Sequence, residues 1–216
     1  MERVKISLKN WPRIIKGVEN LIKKGKVIVC PTDTVYGLIA DAKNKKAVKK
    51  IFKIKKRKEE KPIPIFVRDL KMAKSLVLIN KFQEKLLKKV WPGKVTVVLK
   101  AKRLTKKIFP KSIISSENKI GLRIPNYKII NRLLRILNRP LTGTSANISV
   151  KPPSTKIKEI LKQFKNQKYK PDLILDAGNL KLSLSSTIID LENFKIFREG
   201  EIPKEKIFKI LARIKK

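Results

Sequence analysis

The sequence predicts an α/β layer architecture. Apolar, β-branched runs such as Val27-Ile28-Val29-Cys30 and residues 95–99 recur along the chain. Most are separated by segments whose apolar residues repeat at helical spacing, the pattern of strands alternating with covering helices. A third feature bears on function. The first run opens into Pro31-Thr32-Asp33-Thr34-Val35-Tyr36-Gly37-Leu38, and a hydroxyl-rich turn at the mouth of a sheet is where small ligands are gripped.

The elements follow in chain order. Asn10 is placed to cap a helix carrying Ile14, Ile15, Val18, Leu21 and Ile22 on one face, and Gly25 to end it. A buried strand at 27–30 comes next. Asn44 is placed to cap a second helix with Ala47, Val48, Ile51 and Phe52 on its apolar face. A strand is expected at 63–67. Phe82, Leu86, Leu87 and Val90 mark a helix that Trp91-Pro92-Gly93 stops. Residues 95–99 and 120–124 read as strands. Ile129, Ile130, Leu133, Leu134 and Leu137 form the clearest amphipathic helix, and residues 141–144 lead into Ser145-Ala146-Asn147. Ile157, Ile160, Leu161 and Phe164 mark another helix. Strands are expected at 173–175, 187–189 and 195–197, and a last helix over 203–214 carries Ile207, Ile210 and Leu211. Strand order, and parallel against antiparallel pairing, stay open at this level.

Composition narrows the chemistry. A chain of 216 residues at 42% hydrophobic content can bury one core, so a single domain over 1–216 is expected. No apolar run approaches the roughly 20 residues that span a bilayer, and the N-terminus lacks the apolar core of a signal peptide. One cysteine, Cys30, rules out an internal disulfide and any multi-cysteine zinc site, and it reads as a buried strand residue. A cytoplasmic location fits this usage. The absence of histidine excludes a Ser-His-Asp triad, a Cys-His pair and every His-ligated metal site. The chemistry left must run on Lys, Arg, hydroxyls, carboxylates, backbone amides or a metal held by oxygen atoms. A net charge of +38 attracts polyanions, ATP and RNA among them. The other reading of that charge is a solvated, lysine-rich surface. The densest stretch runs from Lys43 to Lys61, opposed only by Glu59 and Glu60.

Several segments have both a plain and a chemical reading. Thr32, Asp33, Thr34 and Tyr36 form either an ordinary turn bonded to its own backbone or the wall of a polar pocket. Lys55 and Arg57 are expected past a helix end, either solvated or turned into a cleft, where an Arg fork and a Lys point charge suit phosphate oxygens. Arg123 lies between Leu122 and Ile124, at the end of a core strand, and needs a partner. That partner is a ligand carboxylate or one of Asp33, Asp41 and Asp176. Gly143 permits close backbone approach, and Ser145 and Asn147 supply donors. The segment is not a Walker-type loop, and no Gly-x-Gly-x-x-Gly occurs. Arg198 closes the series, as a surface charge or another phosphate clamp.

Taken in order, Pro31 to Leu38, Lys55 with Arg57, Trp91-Pro92-Gly93, Arg123 with Pro125, Ser145-Ala146-Asn147, Ser186-Thr187-Ile188-Ile189-Asp190 and Arg198 with Gly200 resemble the YrdC-like family of L-threonylcarbamoyladenylate synthases. The resemblance covers about residues 10–200 and is to the short, single-domain form. It implies a twisted mixed sheet flanked by helices around a deep, positively charged cleft. It also implies the reaction of L-threonine, bicarbonate and ATP to L-threonylcarbamoyl-AMP and pyrophosphate, which feeds modification of the tRNA adenosine beside the anticodon. By the same resemblance Lys55 and Arg57 take the catalytic positions. Arg57, Lys61, Lys119, Ser145, Asn147, Pro153 and Arg198 fall to ATP, with Ser154 as the alternative to Pro153. Thr34, Phe66, Arg123, Gly143 and Ser186 surround threonine. Mg²⁺ would travel with the triphosphate, and no metal site of the protein's own is expected.

Three positions depart from the family pattern. Phe66 stands where relatives often carry a polar residue, Val150 where glycine is common, and Lys94 where a small or ring residue is usual. The expected partners are the three substrates, tRNA or double-stranded RNA, and the downstream machinery that transfers the threonylcarbamoyl group; no membrane is expected. The competing reading is a binding module that grips double-stranded RNA or tRNA by shape without chemistry.

Overall fold

The fold is that of a computed structural model, which describes residues 1–7 and 9–215. Its elements are β1 (Glu2–Lys5), α1 (Trp11–Lys23), β2 (Ile28–Cys30), β3 (Gly37–Ile39), α2 (Lys45–Lys55) and β4 (Ile65–Phe66). Then come α3 (Leu70–Leu76), α4 (Lys81–Val90), β5 (Val95–Lys100), α5 (Arg103–Ile108), β6 (Lys119–Arg123) and α6 (Lys128–Leu137). The last are β7 (Leu141–Thr142), β8 (Thr144–Ser145), α7 (Ile157–Phe164), β9 (Leu173–Asp176), β10 (Thr187–Asp190), β11 (Ile196–Arg198) and α8 (Lys204–Lys215).

The expected α/β alternation holds, with one correction: the strands form two mixed sheets rather than one. A five-stranded sheet runs β1-β9-β2-β3-β8, and a six-stranded sheet runs β11-β10-β5-β6-β4-β7. The chain passes between them at Gly143, which joins β7 at the end of one sheet to β8 at the end of the other. The seam is stitched by Thr142. Its amide donates to Ala40 O, its hydroxyl donates to Leu38 O, and the Ala40 amide donates to that hydroxyl. The ligand-sized cleft opens beside this seam.

Most helices form for the reasons their sequences give. Ile129, Ile130, Leu133, Leu134 and Leu137 of α6 are all buried, and each such side chain contributes roughly 1.5–3 kcal/mol when removed from water. Asn44 caps α2, its side chain accepting from the Ala47 amide. Asn80 and Gln83 form a reciprocal capping box on α4. Gly25 ends α1 with φ +73°, its amide donating to Ile22 O and the Lys26 amide to Leu21 O.

Asn10 precedes α1 but does not cap it with its side chain. Its oxygen instead accepts from the Ser7 amide, and its amide nitrogen donates to Lys5 O, so the side chain fastens the preceding loop. The strand expected at 63–67 narrows to Ile65–Phe66; on its N-terminal side Pro64 lacks the amide a ladder needs. No helix of the described residues is long and apolar enough to cross a membrane.

Candidate active site

The cleft is lined from both sheets and the loops between them. Thr34 comes from the turn after β2, Phe66 from β4, Arg123 from the end of β6, and Gly143 and Ser145 from the seam. Asn147, Ser186, Arg198, Pro153, Lys55 and Arg57 complete the expected set. Residues scattered over most of the chain thus meet in one place. Among the described residues that line the cleft there is no Asp or Glu, whereas Lys55, Arg57, Arg123, Lys151 and Arg198 all contribute.

Lys55 departs from expectation. It is not past the helix end but is the last residue of α2, and only 2% of it is exposed. Its Nζ donates to Ser145 O at 2.6 Å, Asn147 O at 3.0 Å and Asn147 Oδ1 at 2.9 Å. All the hydrogens of an ammonium are thereby engaged in holding the Ser-Ala-Asn loop. The Ser149 amide donates back to Lys55 O at 2.8 Å, so the loop and the helix end grip each other from both sides. Burial, then the Arg57 and Arg198 cations, push the Lys55 pKa down to about 7.

Arg57 is held by its own loop, Nε donating to Lys61 O at 2.8 Å and Nη2 to Pro62 O at 3.2 Å. Arg198 donates through Nε and Nη2 to Ser186 O, at 3.1 and 2.7 Å. Burial pulls both guanidinium pKa values down, and for Arg198 the Arg123 and Arg57 cations add to it. These cations repel one another across the cleft, and a bound polyanion would relieve that repulsion.

Arg123 finds its partner in Asp33, not in Asp41 or Asp176, which pair with Arg139 and Arg3. The pair is buried, with side chains 3% and 8% exposed. Arg123 Nε donates to Gly93 O at 2.7 Å and Nη1 to Thr34 Oγ1 at 3.2 Å. Asp33 therefore does not turn back on its own backbone. Its second oxygen accepts from the Asn126 amide, and Thr32 Oγ1 closes the turn instead, accepting from the Thr34 amide and donating to Val35 O. The Phe66 ring lies with its centroid 5.7 Å from the Arg123 guanidinium carbon, a cation–π contact that holds the fork from one face.

Two expected residues are not brought to the cleft wall. Lys61 is exposed, and only its carbonyl takes part, as the acceptor for Arg57. Lys119 Nζ is enclosed by Asp190, Glu192 and Glu117 at 2.8, 3.0 and 3.1 Å. Those carboxylates, Asp190 foremost, hold its pKa up. A lysine neutralised this way is a structural tie between β6 and the β10 region. Ser154, the alternative to Pro153, is buried and directs its hydroxyl to Glu159.

Sequence reasoning passed over other members of the wall. Ser149 and Lys151 also line the cleft, and Ser185 precedes Ser186 with a buried Oγ that has no partner among the described residues. Ser185 adjoins Ser186 and Thr187 in the sequence, and residue type alone does not tell which of these hydroxyls face the cleft.

Comparison with known proteins shows which family the chain and its fold belong to. The family model Sua5_yciO_yrdC, described as "Telomere recombination", matches residues 20–200. A putative threonylcarbamoyl-AMP synthase of Methanocaldococcus jannaschii is 39% identical over 90% of this chain and 89% of its own length. A threonylcarbamoyl-AMP synthase of Pyrococcus abyssi is 32% identical over 98% of this chain, which spans 61% of that longer relative. The crystal structure of P. abyssi Sua5 complexed with L-threonine superposes with a TM-score of 0.84 at 32% identity, covering 97% of this chain and 60% of that one. With one family model matching most of its length, and the motifs of that length converging on one cleft, the chain belongs to the Sua5–YciO–YrdC family.

Proposed function

We infer that this chain is a threonylcarbamoyl-AMP synthase, joining L-threonine, bicarbonate and ATP into L-threonylcarbamoyl-AMP and releasing pyrophosphate and water. The observation that carries this reading is the cation cluster. Lys55, Arg57, Arg123 and Arg198 line one cleft, and no carboxylate faces it among the described residues. The relatives named threonylcarbamoyl-AMP synthase support the same assignment.

The chemistry suits a site without histidine. An amine and dissolved CO₂ form a carbamate without strong base catalysis. The demanding step is attack of the carbamate oxygen on the α-phosphorus, with departure of pyrophosphate. Alignment of the two reactants can supply roughly 7–11 kcal/mol of barrier reduction, and fixed cations stabilise charge on the transferring phosphate.

Arg123, already oriented by Asp33, Gly93 O and Thr34, is assigned to the threonine carboxylate. Thr34, Phe66, Gly143 and Ser186 enclose the rest of the amino acid. Arg57 and Arg198 are assigned to the phosphates, and Ser145, Asn147 and Pro153 to the nucleotide. Lys55 acts through the loop it holds, as its hydrogens are committed there. Mg²⁺ would arrive with the triphosphate, held by phosphate oxygens, since the cleft wall offers no carboxylate to hold it otherwise. We place the reaction in the cytoplasm, and the product's threonylcarbamoyl group is destined for tRNA by way of a separate transferase.

The test is pyrophosphate release that requires both bicarbonate and an amino acid, compared for threonine, serine and valine at matched concentration. A site built to hydrogen-bond a hydroxyl rejects an isostere lacking it, and serine loses one methyl at roughly 1 kcal/mol. Threonine should exceed serine, and serine should exceed valine. Valine equal to threonine, or release independent of bicarbonate, would overturn the reading.

A further inference from the structure

Thr96 lies on β5, inside the sheet rather than on the cleft wall, and is 2% exposed. It is the one polar residue in Val95-Thr96-Val97-Val98-Leu99. Its methyl faces Gly121 on the neighbouring strand, where a Cβ would lie 3.7 Å away. Its hydroxyl lies 2.8 Å from Ser186 Oγ and makes no other hydrogen bond among the described residues. Distance alone fits donation in either sense. Hydrogen-bond accounting separates them. If Ser186 donated, the Thr96 hydrogen would be buried without an acceptor, which is costly in a low-dielectric interior. Donation from Thr96 to Ser186 leaves no such orphan.

The other contact at Ser186 points the same way. Arg198 Nη2 approaches Ser186 Oγ at 3.4 Å while donating strongly to Ser186 O at 2.7 Å. With Thr96 on one lone pair of Oγ and the guanidinium against the other, the group Ser186 has left for the cleft is its own hydrogen.

We propose that Thr96 is a positioning residue that sets the polarity of Ser186, making it a donor toward the cleft. The subsite at Ser186 then accepts an oxygen of the amino acid, from its hydroxyl or its carboxylate, and excludes its ammonium. This deepens the assignment of Ser186 to the threonine site and rests on that functional reading.

The experiment compares the full chain with Thr96→Val and Thr96→Ser in bicarbonate-dependent pyrophosphate release, with threonine, valine and ATP each varied. Valine at 96 keeps the shape and the β-branching but frees Ser186 Oγ to turn. Thr96→Val should raise the threonine KM about three- to tenfold, the value of one net hydrogen bond. The ATP KM should stay within about twofold, and Thr96→Ser should restore the threonine KM. If the acceptor is the threonine hydroxyl, the threonine-to-valine ratio of kcat/KM falls with it. If the acceptor is the carboxylate, the KM rises equally for both amino acids. Either result supports the inference.

An unchanged threonine KM overturns it. So does a rise in both KM values with a lowered melting temperature that serine at 96 does not repair, which marks a structural role only. A wild-type chain without threonine-dependent release overturns the functional reading itself, and this inference with it.

Discussion

Gly143 lies against the ring of Phe66: a Cβ at Gly143 would stand 2.9 Å from both Cδ1 and Cε1 of that ring. The glycine is needed for close approach, at the point where the chain passes from one sheet to the other. Its amide donates to Pro64 O at 2.8 Å, which fixes the backbone against moving away. The ring is 3% exposed and is held between Gly143 and the Arg123 guanidinium. Phe66 and Gly143 are therefore a size-matched pair, and an aromatic ring at 66 requires the smallest residue at 143.

Gly143→Ala should lower stability by about 1–3 kcal/mol through overpacking, a fall in melting temperature of about 3–9 °C for a chain of this size. It should also raise the threonine KM, because the displaced ring no longer holds Arg123. Phe66→Leu in the same chain removes the ring edge and should recover most of the lost melting temperature. Thermal unfolding of the two single variants and the double variant checks this. Additive losses in the double variant would show that the two positions are not coupled.

The Asp33–Arg123 pair makes a second stability prediction. Removing one partner of a buried pair leaves an uncompensated charge and costs about 3–5 kcal/mol, whereas removing both with apolar residues costs less. Asp33→Ala should be strongly destabilised in urea titration. Asp33→Ala combined with Arg123→Met should be more stable than Asp33→Ala alone, although it should have lost its response to threonine. A double variant less stable than Asp33→Ala would mean that the pair contributes through packing rather than charge.

Much of this was legible in the sequence, and the failures share physical causes. The helix at Ile129 to Leu137 declared itself because five buried apolar residues repeat at helical spacing, and Asn44 declared the start of α2. By contrast β1 reads Glu-Arg-Val-Lys, an exposed edge strand whose only signature is its parallel pairing with β9. β3 begins at Gly37, inside what looks like a turn, and α3 and α5 are too short for periodicity to speak.

The site follows the same division. Ordered motifs placed Thr34, Arg123, Gly143, Ser145, Asn147, Ser186 and Arg198 on one cleft. They could not say that Lys119 would meet carboxylates from Glu117, Asp190 and Glu192, or that the Lys55 ammonium would be consumed by carbonyls some 90 residues away. Such partners are set by tertiary approach, and neither spacing nor residue type encodes them locally.

Arg57→Ala should impair catalysis more than it impairs stability. Among the described residues the side chain bonds to two carbonyls of its own loop, those of Lys61 and Pro62. A charged hydrogen bond to phosphate is worth roughly 1.5–3 kcal/mol, or about ten- to hundredfold in kcat/KM for ATP. The melting temperature should move by no more than about 3 °C. Unchanged adenylate synthesis would remove Arg57 from the phosphate site.

Lys55 makes the pH prediction. Burial and two neighbouring cations lower its pKa in the folded chain to about 7, below its ordinary value of 10.5. Between those two pH values the unfolded chain binds more protons than the folded one, so stability contributed at this position rises with pH across that window. Below pH 7 the ammonium is charged in both states and its full desolvation penalty is present. Above 10.5 the amine is neutral in both and the penalty is gone. Function moves the opposite way. A neutral amine has two hydrogens for three acceptors, so the Ser145–Asn147 loop loses a tie as pH climbs past 7. The ATP KM should therefore rise from pH 6.5 to 8.5 while the chain becomes no less stable. Lys55→Arg keeps its charge throughout and should flatten that rise, whatever its absolute activity. Urea titrations and KM for ATP measured across the same pH series decide it: an ATP KM that falls with pH, or one that rises equally in Lys55→Arg, would show that the Lys55 proton does not hold the loop.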